Sequence, residues 1–146
     1  MFHVRVEHPA DVITSQQVAR RAAKAAGFGR RACAELMIVA SELASNVLKY
    51  GTHGTLRLET CHHALRGPGV RIVAEDHGPP FKSFETAQID GFDDDGPVDA
   101  ALLVSRRGTA SGLGAVRRLT HELVWEPRAH GKAVIATRYL KAPARV

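Results

Sequence analysis

From Arg31 to Tyr50 the apolar residues Leu36, Val39, Leu43, Val47 and Tyr50 recur at helical spacing, and after Gly51 the period drops to two. A helix that long with one apolar stripe must bury it against another layer, and the segments around it supply short strands. Residues 2–7 read as a strand with Phe2, Val4 and Val6 on one face. Residues 54–61 form another, with Leu56 and Leu58 on one side, and a turn at Arg66-Gly67-Pro68-Gly69 leads into a third from Val70 to Glu75. Two last strands, 122–127 and 132–140, are joined through Pro127 and Gly131. Strands that come in adjacent pairs with short turns make a mixed, mostly antiparallel sheet. The expected fold class is therefore α/β, a two-layer sandwich with helices on one face.

The remaining elements follow from local signals. Thr14 or Ser15 is the expected cap of a helix running to about Ala26, ended by Gly27-Phe28-Gly29. From Phe81 to Gly96 a short helix gives way to an acidic loop, and Asp99 to Val104 reads as helical. Arg106 to Gly112 is a flexible stretch, followed by a helix from Leu113 to His121. One domain over residues 1–140 is expected, with Lys141 to Val146 as a loose basic tail.

Composition narrows the function. In 146 residues, 45% are hydrophobic and 24% charged, the profile of a globular protein that needs no disulfide framework. Two cysteines, Cys33 and Cys61, suit a reducing cytoplasmic setting. No apolar run reaches a membrane span, and the start Met1-Phe2-His3-Val4-Arg5 reads as a strand and not as a signal peptide. The net charge of +5 is split between a basic cluster (Arg20, Arg21, Lys24, Arg30, Arg31) and an acidic one (Glu85, Asp90, Asp93, Asp94, Asp95, Asp99). That division, with 5% aromatic residues, argues against a nucleic-acid groove.

Three constellations carry possible chemistry. Glu42 and Asn46 lie four apart on one helix face, where a carboxylate can take a proton and an amide oxygen can bind a hard cation. The same pair is also an ordinary polar stripe. Asp76-His77-Gly78-Pro79-Pro80 follows an apolar strand; its aspartate can accept from an adenine amino group and Gly78 lets backbone approach a flat ring, yet the segment also suits a plain turn. Gly108-Thr109-Ala110-Ser111-Gly112-Leu113-Gly114 opens a helix, as a phosphate cradle does and a flexible linker can. No Walker A lysine motif and no complete GxGxxG is present, which removes P-loop and dinucleotide sites.

Taken in order, these segments resemble the GHKL, or Bergerat-fold, ATPase superfamily, and within it the anti-sigma-factor serine/threonine kinases, most of all the switch kinase of bacterial stress-signalling modules. The resemblance rests on Ala23-Lys24-Ala25-Ala26-Gly27-Phe28-Gly29, Ser41-Glu42-Leu43-Ala44-Ser45-Asn46, Ile72-Val73-Ala74-Glu75-Asp76-His77-Gly78-Pro79, Asp90-Gly91-Phe92 and Gly112-Leu113-Gly114-Ala115-Val116-Arg117-Arg118-Leu119. It implies ATP and Mg²⁺ as cofactors. It gives Asn46 the Mg²⁺, Glu42 the role of base toward the acceptor hydroxyl, Asp76 and Gly78 the adenine, and Gly112, Leu113 and Gly114 the phosphates. It also implies a STAS-domain antagonist protein as phosphoacceptor, and admits a downstream regulator or phosphatase as a further partner. A catalytically silent, nucleotide-gated switch that sequesters a partner is the alternative function. The chain departs from the family pattern at Pro80, where a second glycine is usual, and at Arg106 and Arg107, where small residues are.

Other features read as structural. Cys61-His62-His63 alternates across a strand and cannot converge on one metal. His121-Glu122-Leu123 lacks the helical hairpin of a phosphoacceptor histidine. Trp125 suits sheet packing, and Cys33 a packed core thiol.

Overall fold

The computed structural model describes residues 1–50, 53–89, 92–93, 96–97 and 112–141. Strand β1 (Phe2–Val6) leads to helices α1 (Pro9–Ala25) and α2 (Arg30–Tyr50), then to strands β2 (Gly54–His63) and β3 (Gly67–Asp76). A short helix α3 (Phe84–Ala87) and two-residue strands β4 (Phe92–Asp93) and β5 (Gly96–Pro97) follow. Helix α4 (Leu113–Arg118) and strands β6 (Glu122–Arg128) and β7 (Gly131–Tyr139) close the described chain.

Five strands form one sheet in the order β1-β2-β3-β7-β6, and each of its ladders is antiparallel. The register puts the apolar positions in phase across it: Val4, Leu56, Ala74, Val134 and Trp125 form one row, and Phe2, Leu58, Ile72, Ala136 and Leu123 the next. These rows face α1 and α2 and merge with Leu36, Val39, Leu43 and Val47 in one core. The opposite face carries a charged ladder, in which Arg57 meets Glu75 at 3.2 Å and Glu59 at 3.6 Å, and Arg71 meets Glu59 at 3.7 Å. A sheet with one buried and one polar face alternates residue by residue, which is the pattern of residues 54–59. The two-layer sandwich expected from the sequence is thus the fold observed.

Helix α1 begins at Pro9, five residues before the threonine expected to cap it. Proline at the first helical position needs no amide partner, and Asp11 reaches back to accept from the amides of Glu7 and His8 at 2.9 Å each. Those two donors hold the Asp11 carboxyl below its usual range. Ser15 lies within the helix, buried, and donates to the Asp11 carbonyl at 2.8 Å. The helix ends as Gly27-Phe28 predicts. Gly27 takes φ +96°, its amide donates to Lys24 O, and Phe28 N donates to Ala23 O, both at 3.0 Å, while the Phe28 ring enters the core.

Helix α4 is shorter than the sequence suggests. It stops at Arg118 because the His121 amide donates to Thr137 O at 2.9 Å and so joins the sheet. The expected helix over 99–104, the stretch 106–111, Asp90-Gly91 and the tail from 142 lie outside the described residues.

Candidate nucleotide site

Only residues 51–53 separate Tyr50 at the end of α2 from Gly54 at the start of β2, so these points lie within about 15 Å of each other. Gly54 pairs with Asp76, and Asp76 with Lys132. The C-terminal half of α2, the end of β3 and the start of β7 therefore share one end of the sandwich, where the sequence-predicted residues are found.

On α2, Leu43, Ala44 and Val47 are buried, and Glu42 and Asn46 border that stripe, both half-buried. Gly112, at the entrance to α4, packs beside Asn46: a Cβ added there would lie 3.7 Å from Asn46 Oδ1 and 3.9 Å from Nδ2. Gly112 holds φ 52° and ψ −121°, a combination open to glycine and costly for other residues. Leu113 and Gly114 follow it, both buried, with α4 packed on α2. The first helical bond of α4 runs from Val116 N to Gly112 O at 3.3 Å, so the amides of Leu113 and Gly114 precede the helical ladder.

Asp76 is fixed from several sides. Gly54 and Gly131 bracket its backbone so closely that a Cβ on either would overlap the carbonyl of Glu75 or of Asp76. Its Oδ1 accepts from Gly78 N at 2.8 Å and from Lys132 Nζ at 3.0 Å. The two side chains of that ion pair are 7% and 6% exposed. Oδ2 accepts no hydrogen bond from the described residues, and it is not among their fully buried unsatisfied atoms.

The loop after Asp76 is anchored as well. His77 Nδ1 is 3.1 Å from His130 O, and its ring lies 4.6 Å from that of His53. Phe81 packs edge-on against Trp125 and Phe84 at 5.2 and 4.9 Å, and Lys132 Nζ sits 5.2 Å from the Phe81 ring centre. Pro80 thus leads directly into an aromatic anchor, and Trp125 serves in packing.

The remaining candidates are elsewhere. His121 is buried and its Nδ1 accepts from Tyr139 N at 2.9 Å. Cys33 Sγ donates to Phe28 O inside the core. His63 Nδ1 accepts from Leu65 N and Arg66 N and so shapes the β2–β3 turn. Cys61 faces the charged side of the sheet, where burial pushes its thiol pKa up. Lys132 was missed by sequence reasoning. The signal was present: it stands in phase with Val134 and Ala136 on the inward face of β7, where a charge is unexpected.

The fold is thus a helix-backed antiparallel sheet with an acid and an amide on one helix, an aspartate at a strand end and a glycine-led helix start. Residues 6–138 match the histidine kinase-like ATPase domain family, and the chain belongs to it. It is 33% identical over 120 residues to the serine/threonine-protein kinase RsbT of Bacillus subtilis (strain 168), covering 82% of this chain and 80% of that one. Among solved structures it is similar in fold to the SiaB-SiaC complex of Pseudomonas aeruginosa, with a TM-score of 0.59, 14% identity, and coverage of 94% of this chain and 89% of that one. No helix among the described residues is long and apolar enough to cross a membrane.

Proposed function

We propose that the protein is a serine/threonine protein kinase of the cytoplasm that transfers the γ-phosphate of ATP to a hydroxyl on a small STAS-domain partner. The observation that carries this reading is the likeness to RsbT, which extends over four-fifths of both chains. The site supports it with an acid, an amide and a glycine-led helix start at one end of the fold.

Asp76 Oδ2 accepts from the adenine 6-amino group, with Gly78 allowing close backbone approach. Gly112, Leu113 and Gly114 border the phosphates. No cluster of three His, Cys, Asp or Glu side chains able to hold a metal occurs among the described residues. Mg²⁺ keeps several waters and takes phosphate oxygens, so a single amide oxygen is a fitting protein ligand for it. Asn46 Oδ1 is the protein oxygen that would hold it, beside Gly112. When bound, the ion neutralises and orients the phosphate oxygens. Glu42, one turn before Asn46, takes the proton of the attacking hydroxyl. Phosphoryl transfer depends mainly on positioning and charge neutralisation, so this set is sufficient.

The test is single-turnover phosphorylation of a STAS-domain partner with labelled ATP, with ATP and partner binding measured in parallel. Phosphate on a partner serine or threonine is expected. A protein that binds ATP and partner yet transfers nothing is instead the nucleotide-gated switch.

A further inference from the structure

A lysine inside a protein is costly unless paired, and even a paired buried charge often stabilises no better than a well-packed apolar residue. Lys132 occupies a position in phase with Val134 and Ala136, where an aliphatic side chain would fit the core pattern. Its ammonium instead reaches Asp76 Oδ1 at 3.0 Å, with the face of Phe81 behind it. Gly78 N binds the same oxygen. Both donors converge on Oδ1 and neither on Oδ2.

We propose that Lys132 is the positioning residue of base recognition: by holding one oxygen of Asp76 it fixes the carboxylate plane and leaves the other oxygen free for the 6-amino group of adenine. The proposal rests on the adenine role given to Asp76. A carboxylate on a strand end can otherwise rotate about its last bond and share both oxygens among donors and water. With Oδ1 held twice, the orientation is set before the base arrives, and less freedom is lost on binding.

Two substitutions separate this role from a structural one. Lys132→Met removes the ammonium at similar volume and leaves Oδ1 held by Gly78 N alone. Lys132→Arg keeps the charge, but a guanidinium fork engages both carboxylate oxygens and so occupies the one left for adenine. Affinities are measured by calorimetry for ATP and for purine riboside triphosphate, which lacks only the 6-amino group. The native protein is expected to prefer ATP by about ten- to a hundred-fold, the range for a hydrogen bond to a charged acceptor. In Lys132→Arg that ratio should fall to about one, and in Lys132→Met by about several-fold, with affinity for the analogue nearly unchanged. If Lys132→Met does not fold, Lys132→Arg decides alone. Equal loss of affinity for both nucleotides, with the ratio kept, makes Lys132 structural and overturns the proposal while the adenine role of Asp76 stands. A native protein that binds both nucleotides equally removes that role and the proposal together. One that binds neither removes the nucleotide site.

Discussion

Gly112 abuts the side-chain amide of Asn46, so the start of α4 and the polar edge of α2 form one surface. Nothing in the local sequence of either segment links them. The packing of α4 on α2 brings a glycine-led helix start against a side-chain amide.

Asn46→Ala should abolish the Mg²⁺-dependent tightening of ATP binding and leave the fold intact, because Asn46 is half-buried at the border of the core stripe. Calorimetry with and without Mg²⁺ checks this. An unchanged Mg²⁺ dependence takes Asn46 out of the site.

Gly112→Ala tests the backbone. The added methyl would meet Asn46 only at ordinary contact distance, so space is not the obstacle. The cost lies in φ 52° and ψ −121°, and should be about 1–3 kcal/mol, or a shift of the loop that lowers ATP affinity. Denaturant melts and ATP titration of the variant measure the two routes. A variant with native stability and native affinity would show that this conformation is not needed.

Glu42→Gln keeps size and reach but cannot take a proton at neutral pH. ATP and partner binding should persist, while transfer falls by about 10²–10⁴, toward the lower end for a loose transition state. Single-turnover rates at saturating partner give the answer. Loss of ATP binding in this variant would assign Glu42 to the architecture of the site and not to proton transfer.

Asp76→Asn retains an oxygen for Lys132 and Gly78 but presents a neutral group to the base. ATP affinity should drop by about 1.5–3 kcal/mol, the worth of a hydrogen bond to a charged group. Equal affinity in variant and native protein would refute the adenine role.

Asp11→Ala addresses stability instead of function. The two backbone donors lower the folded-state pKa of Asp11, so its contribution is fully present above its unfolded-state pKa. It is lost as pH falls through the lower folded value. The melting temperature of the native protein should exceed that of the variant at neutral pH, and the gap should close only in acid. A gap that is independent of pH would assign the effect to packing of α1.

What the sequence determined by itself was whatever short-range physics controls. Helical period fixed α2 to within a residue, and strand alternation with short turns placed β1, β2, β3, β6 and β7 and their antiparallel pairing. Gly27-Phe28 announced the end of α1 because only a left-handed residue closes that motif. The start of α1 and the end of α4 were misplaced, since each was decided by a competing partner: Asp11 reaching back to two amides, and Thr137 taking the His121 amide. Chemically apt residues were legible as types in order. Only the tertiary structure decided which of them meet. The insertion of β7 between β3 and β6 carries Lys132 to Asp76 across 56 residues, and α4 packing carries Gly112 to Asn46. Such contacts come from the order of strands and the seating of helices, which depend on burying the whole core at once; the local window marks Lys132 as a charge in an apolar row but not the partner it meets.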